Sequence, residues 1–349
     1  MAKRAIGSWF KQRWVGSQRH QATRHNTRGF TLLELLVATA IGGGIISGLM
    51  FMVVQLTNTD LRESSRSETQ REMQLALDYI STELREAVYV YDGEQLATLS
   101  QYLPNAVANN NSVPVLAFWK HQPFPTWMRD RCRAQTSAQT PGIACASGSS
   151  YSLVVYSLSS ANPGNIWSNN ARITRYALTE FGSTANVLTQ GYVNPGLNNN
   201  NFATWPFDAN GNDLRLRPVG SGRPPGNLVG DPVTLVDYVD SVAPAGNNGR
   251  RDPSCPQDYQ LTPSNATIQA VPAPLRNVRS FYACVSRRVD SGANQDVVLS
   301  IRGNVNGRPG YTIAGFRTVN ADNTFANDTL PALETRVLTR GSLGRLPPQ

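Results

Sequence analysis

The sequence predicts an α+β protein: a long N-terminal helix, with a membrane half and then an amphipathic half, packed on an antiparallel β-sheet with long surface loops. Three observations carry this. Residues 30–54 form an apolar run of twenty-five with Glu34 as its one charge. All 22 prolines lie at or after Pro104, so no proline interrupts a helix in the first hundred residues. Beyond that point, short β-branched and aromatic runs alternate with clusters of Gly, Pro, Asn and Ser.

About 20 apolar residues suffice to cross a bilayer as a helix, so residues 30–54 are expected to span a membrane. A charged side chain at the centre of such a helix costs about 2.5 to 3.5 kcal/mol on insertion scales, so Glu34 needs a partner. Residues 1–29 carry Lys3, Arg4, Lys11, Arg13, Arg19, Arg24 and Arg28 with no acidic residue, which by the positive-inside rule keeps this end in the cytoplasm and the rest outside. A secretory signal has its small-residue cleavage site after the apolar core; here Gly29 precedes it. A cut after Gly29 would remove the basic leader and keep the membrane helix.

Gly29-Phe30-Thr31-Leu32-Leu33-Glu34-Leu35 resembles the type III signal of type IV prepilins and type II secretion pseudopilins. The resemblance implies that a prepilin peptidase cuts after Gly29 and methylates the new amino terminus, giving N-methylphenylalanine at Phe30. It also implies that Glu34, fifth in the processed chain, serves assembly. Physics supports that role: the N-methylated amine of Phe30 stays charged, so an adjacent subunit could neutralise Glu34 within lipid. The competing reading is that Glu34 complements its own helix N-terminus, worth roughly 0.3 to 1 kcal/mol. The expected partners are prepilin peptidase, other pilins or pseudopilins and, indirectly, an inner-membrane platform protein and an assembly ATPase. The expected location is the inner membrane, single-pass with the head outside the cytoplasm, and after assembly a pilus or pseudopilus in the periplasm or at the cell surface. The leader is similar in length to cyanobacterial and some pseudopilin forms, which suggests a polysaccharide or protein export system ahead of motility or DNA uptake. The rival is a filament-tip adhesin whose aromatics Trp119, Trp127, Trp167 and Trp205 contact glycans.

The expected organisation is a basic leader at 1–29, a membrane and assembly helix at 30–56, an amphipathic helix at 57–91 and a β-rich head at 92–349. Residues 57–70 are polar nearly all round. Met73, Leu77, Ile80, Leu84 and Val88 then fall three or four apart, one apolar stripe for docking the helix on the head, with Glu72, Asp78, Glu83, Arg85 and Glu86 mostly on other faces. Gly42-Gly43-Gly44 predicts a kink or local melting, since each glycine costs about 1 kcal/mol relative to alanine. Gly44 and Gly48 form a G-x-x-x-G that permits close helix approach in a membrane. Strands are expected at 113–120, 151–158, 172–178, 233–239, 278–285 and 297–302, and residues 191–231 are expected to be surface loop.

The formal charge of +8 owes seven units to the leader, so the processed chain keeps about +1 and nucleic-acid binding is not expected. Cys132, Cys145, Cys255 and Cys284 all fall in the exterior part, where disulfides persist; of three connectivities, local pairing of Cys132 with Cys145 and Cys255 with Cys284 is preferred. No C-x-x-C pair occurs, and His121 is the sole histidine beyond the leader, so neither metal, cofactor nor enzymatic activity is expected. Asp208, Asn210 and Asn212 have calcium-like spacing, but Asp213 and Val219 stand where an EF-hand needs glycine and the closing glutamate, so a polar turn is preferred. Arg276, Arg279, Arg287, Arg288 and Arg302 form a basic cluster, read as solvated strand faces with an acidic glycan or DNA as the minority alternative.

Overall fold

In a computed structural model the described residues are 29–134, 145–182, 187–196, 201–217, 223–244, 250, 252–287, 294–311 and 328–339. The basic leader to Arg28, Arg288 and Val219 lie outside them. The chain divides into two units, one ending at Leu56 and one beginning at Thr57.

The first unit contributes the apolar part of helix α1 (Leu32–Arg85). Its large side chains, such as Leu32 and Ile46, are solvent-facing in the isolated chain, and this is the one described helix long and apolar enough to cross a membrane. The helix does not melt here: α1 runs unbroken through Gly42-Gly43-Gly44. Three weak residues inside a long cooperative hydrogen-bond ladder lower its stability without opening it.

The second unit begins with the rest of α1, where Met73, Ala76, Leu77, Ile80 and Leu84 are buried as one stripe. The helix stops at Arg85, earlier than the expected residue 91, and Val88 belongs to strand β1 (Ala87–Val90) rather than to the stripe. Asp92 then caps the short helix α2 (Gly93–Ser100) through a capping box with Gln95. Strands β2 (Ser112–Pro123), β3 (Ser149–Ser159), β4 (Ala171–Leu178) and β5 (Val233–Val239) follow as an antiparallel ladder, with helix α3 (Thr126–Arg133) between β2 and β3. The chain continues through β6 (Tyr259–Thr262), helix α4 (Asn265–Ala270), β7 (Phe281–Ser286), β8 (Asp296–Asn304) and β9 (Thr329–Leu338).

Among the described residues the pairings are antiparallel, in the order β1-β2-β3-β4-β5-β8-β7-β6, with β9 pairing β8 on the side opposite β7. Between β5 and β8 the ladder thins to one pair, Val239 with Gly303, so the curled sheet is two ladders meeting at a seam. The stripe of α1 packs on the inner face of both, against Phe118, Val154, Tyr156 and Ile173 of one and Phe281, Leu299 and Ile301 of the other. Gly303 permits a close approach at the seam: a Cβ there would lie 3.1 Å from Met73, 3.1 Å from Leu330 and 3.2 Å from Thr69, tight enough that those side chains would have to give.

The outer face of β1–β4 carries a second core, which corrects the expectation for residues 191–231. Tyr192, Val193, Trp205 and Leu228 from that segment are buried with Trp119, Leu153 and Val155. A segment rich in Asn, Gly and Pro still covers a sheet when its few large apolar residues all point one way. Two disulfides complete the unit, Cys132–Cys145 and Cys255–Cys284.

Gly303→Val should lower the stability of the second unit by about 1 to 3 kcal/mol through overpacking at the seam. Denaturant unfolding of the full chain in detergent measures this, and an unchanged midpoint would remove the close-approach argument.

Candidate functional site

At the start of α1, Thr31 is the N-cap. Its hydroxyl accepts the Glu34 amide at 3.2 Å and its carbonyl accepts the Leu35 amide at 3.2 Å. Thr31 and Glu34 have capping-box spacing, but only the threonine half is made. Among the described residues the Glu34 carboxylate has no hydrogen bond or ion pair, and Gly29, Phe30 and Glu34 are all exposed. The first helical turn thus offers an unpaired acid beside the residue that would become the new amino terminus.

The far end of the same helix treats a carboxylate in the opposite way. Glu83 is buried in the last turn of α1 and turns towards the sheet, not to another face as its position in the sequence suggests. Arg175 of β4 donates to both its oxygens at 2.8 Å, Tyr156 of β3 donates at 2.5 Å, and the Lys120 ammonium of β2 lies 2.9 Å away. Burial alone would raise the Glu83 pKa, but the hydrogen bonds from Arg175, Tyr156 and Lys120 outweigh it and hold the carboxyl at about 2. Sequence reasoning missed this group because the partners lie 37 to 92 residues away; only an acid within the last turn before a strand hinted at it.

Higher on the helix, the polar stretch of α1 is also partnered. Arg62 donates to the Gly310 carbonyl at 3.0 Å and Ser65 to that of Pro309 at 2.8 Å. Arg308 pairs with Glu68 at 3.0 Å and with Glu72, and lies 4.2 Å above the Tyr238 ring. At the seam, buried Asp240 accepts from Arg250 at 2.6 and 2.9 Å, Arg302 at 3.0 Å and Asn304 at 2.9 Å.

The basic cluster therefore does not exist as a set of solvated faces. Arg302 and Arg279 are buried, Arg276 bonds the Val271 carbonyl at 3.2 Å, and Arg287 is exposed. The aromatics proposed for glycan contact are also divided. Trp119 and Trp205 are core residues whose indole N–H groups donate to Tyr91 at 2.9 Å and to the Val193 carbonyl at 2.8 Å. Trp127 is half-buried and Trp167 is 37% exposed. His121 is an exposed strand-end residue with its ring 4.8 Å from that of Tyr151. Asp208 spends its carboxylate on the amides of Asn210 and Asn212, and Asp213 on Arg215, so the calcium-like segment is a self-satisfied turn. Among the described residues no cluster of three His, Cys, Asp or Glu could hold a metal ion.

Comparison with known families identifies the prokaryotic N-terminal methylation motif at residues 24–50. The chain therefore carries the type IV pilin signal, followed by a long apolar helix that marks it as membrane-anchored. The motif implies processing by prepilin peptidase and assembly with other pilins. No curated protein and no solved structure matches the chain.

Two carboxyls give the second unit opposite pH responses. Glu83 ordinarily titrates near 4.5 and is held at about 2, so its contribution, roughly 3 kcal/mol, is present above pH 4.5 and lost as pH falls towards 2. Glu180 is raised by burial to about 7, with Arg223 opposing, so stability is lost as pH rises from 4.5 through 7. Glu180→Gln should therefore stabilise the protein at pH 8 and leave it nearly unchanged at pH 4.5, whereas Glu83→Gln should destabilise it at pH 7. Denaturant melts of Glu180→Gln at pH 4.5 and 8, and of Glu83→Gln at pH 7 and about 2.5, are the test; a pH-independent response of either variant over its own pair of pH values would contradict the assignment.

Proposed function

We propose that this protein is a minor pilin or pseudopilin, a non-enzymatic structural subunit that prepilin peptidase cuts after Gly29 and methylates on Phe30, and that assembles through α1 into a pilus or pseudopilus. The observation that carries the reading is the methylation motif at 24–50 running directly into an uninterrupted apolar helix whose Glu34 has no partner among the described residues. Cleavage converts the Phe30 amide into an ammonium, and N-methylation leaves that charge in place. In the bilayer Glu34 is a costly isolated charge, and the ammonium of a neighbouring copy or another pilin supplies the opposite sign.

The basic leader supports an inner-membrane orientation with the head outside the cytoplasm. Two disulfides in the head fit an oxidising compartment. Energy for extraction from the membrane would come from the platform protein and cytoplasmic ATPase that such systems use. The large head, with its covered outer sheet face, favours a role at few positions in the filament over one at every helical position. Export of a polysaccharide or protein is the preferred setting.

Mass spectrometry of native material should find Phe30 as the first residue, carrying one methyl group. Glu34→Ala should leave cleavage intact and reduce incorporation into filaments, and Gly29→Leu should leave the full-length band on a gel. A trimmed Gly29→Leu product would misplace the cleavage site, and normal incorporation of Glu34→Ala would remove the counter-ion mechanism.

A further inference from the structure

The outer face of β7–β8–β9 carries a groove of about 550 Å³ that neither the helix nor the second core uses. Its floor is built by strand register: Tyr282, Ser300 and Glu334 form one cross-strand row, and Arg302 and Ala332 form the next. These residues alternate with Val297, Leu299 and Ile301, which face the main core. Arg279 enters just before β7, and Asp252 and Ser254 come from the segment that the Cys255–Cys284 disulfide ties to that strand.

The charges around this groove do not balance in its buried part. Asp240 is a single buried carboxylate shared by Arg250 and Arg302. Arg302 is 6% exposed, and among the described residues its Nη2 has no hydrogen-bond partner. Arg279 is 9% exposed, and among the described residues its guanidinium makes no hydrogen bond or ion pair. Burial lowers the Arg279 pKa while Asp252 acts on it only through its field. Buried guanidinium groups are normally paired, and two incompletely paired ones lining one groove leave room for an anion.

The remaining lining narrows the class of anion. The Arg279 fork, with the one unpartnered nitrogen of Arg302 beside it, suits a planar carboxylate. Asp252 and Glu334, both exposed at the rim, disfavour a doubly charged phosphate. The Tyr282 hydroxyl, which donates to Glu334 at 3.4 Å and is hydrogen-bonded with Ser300, gives the groove a polar wall for other hydroxyls, and Leu330 with its neighbours gives an apolar wall for C–H groups. The volume falls in the range of about 300 to 1,000 Å³ usual for small-molecule sites.

We propose that this groove binds a sugar acid through its carboxylate, with Arg279 as the residue that takes the charge and Arg302, fixed by Asp240, as the second donor. The site is independent of the assembly role, because it uses neither Glu34 nor the apolar half of α1.

The test is calorimetric titration of the full chain in detergent with sodium D-glucuronate, D-glucose, inorganic phosphate and N-acetylglutamate amide. Saturable binding of glucuronate, absent for glucose and weaker for phosphate, is expected, with at least about a tenfold loss in Arg279→Gln. Among the described residues Arg279 holds no ion pair, so this variant should keep the wild-type thermal midpoint. If it does not fold, protection of Arg279 from phenylglyoxal by glucuronate in the wild-type protein, read by mass spectrometry, takes its place. No saturable glucuronate binding, equal binding of glucose, or an unaltered affinity in Arg279→Gln would overturn the site. Tighter binding of phosphate or of N-acetylglutamate amide would overturn the sugar-acid assignment.

Discussion

The Glu83 carboxylate, enclosed by donors from three consecutive strands, is the constraint on which the head depends. Apolar burial drives the stripe of α1 onto the sheet, but that force is non-directional and would tolerate sliding or rotation of the helix. A carboxylate reached by Lys120, Tyr156 and Arg175 at once tolerates neither, since a shift of one helical position would leave a buried charge unpartnered. Breaking a buried pair typically costs 3 to 5 kcal/mol, whereas forming it gains much less because both ions first lose water. Glu83 therefore selects one docking geometry more than it deepens the energy well.

The same device recurs wherever the backbone ladder runs out. At the seam between β5 and β8 only one residue pair is made, and the Asp240 cluster bridges what the main chain cannot. At the free edge of β1, the Gln295 side-chain amide substitutes for a strand: it accepts from the Val90 amide at 2.8 Å and donates to the Val90 carbonyl at 2.9 Å. Both ties are buried, so their polar atoms have no water to fall back on. Gly303 completes the arrangement by letting α1 lie close to the seam.

The elements legible in the sequence are those written in local periodicity. The apolar run, the stripe from Met73 to Leu84, and the strands β2, β3, β4, β5 and β8 all follow from spacing and composition. β1 was hidden because Val88 continues a helical period for one step past the last helical turn. β9 contains Pro331 and alternates apolar with charged residues without a clean break; as a strand paired, among the described residues, only to β8, it can tolerate a proline that an inner strand could not. The second core was illegible for a different reason. Tyr192, Val193, Trp205 and Leu228 are too widely spaced to form a pattern, and only the sheet they cover relates them. In the signal region, Gly29, Phe30 and Glu34 were legible because the motif is contiguous. The partners of Glu83 and Asp240 were not, since long-range polar pairs leave no local trace.

Two acids on one helix thus show how sequence position can conceal opposite solutions to one problem. Glu83 sits among many charged residues and looks ordinary, yet its own chain neutralises it completely by folding a sheet around it. Glu34 stands alone in an apolar run and draws attention at once, yet among the described residues its carboxylate receives nothing. A cost met inside the chain stabilises the subunit. A cost left open in the bilayer, on the proposed role, lowers the stability of the solitary subunit relative to the assembled one, because only a second polypeptide can bring the ammonium. The Thr31 cap is compatible with both states: it satisfies a backbone amide of the first turn and leaves the Glu34 side chain uncommitted. An acid fully engaged in a capping box would have less to gain from a partner, so the half-made box is the local feature that keeps Glu34 available.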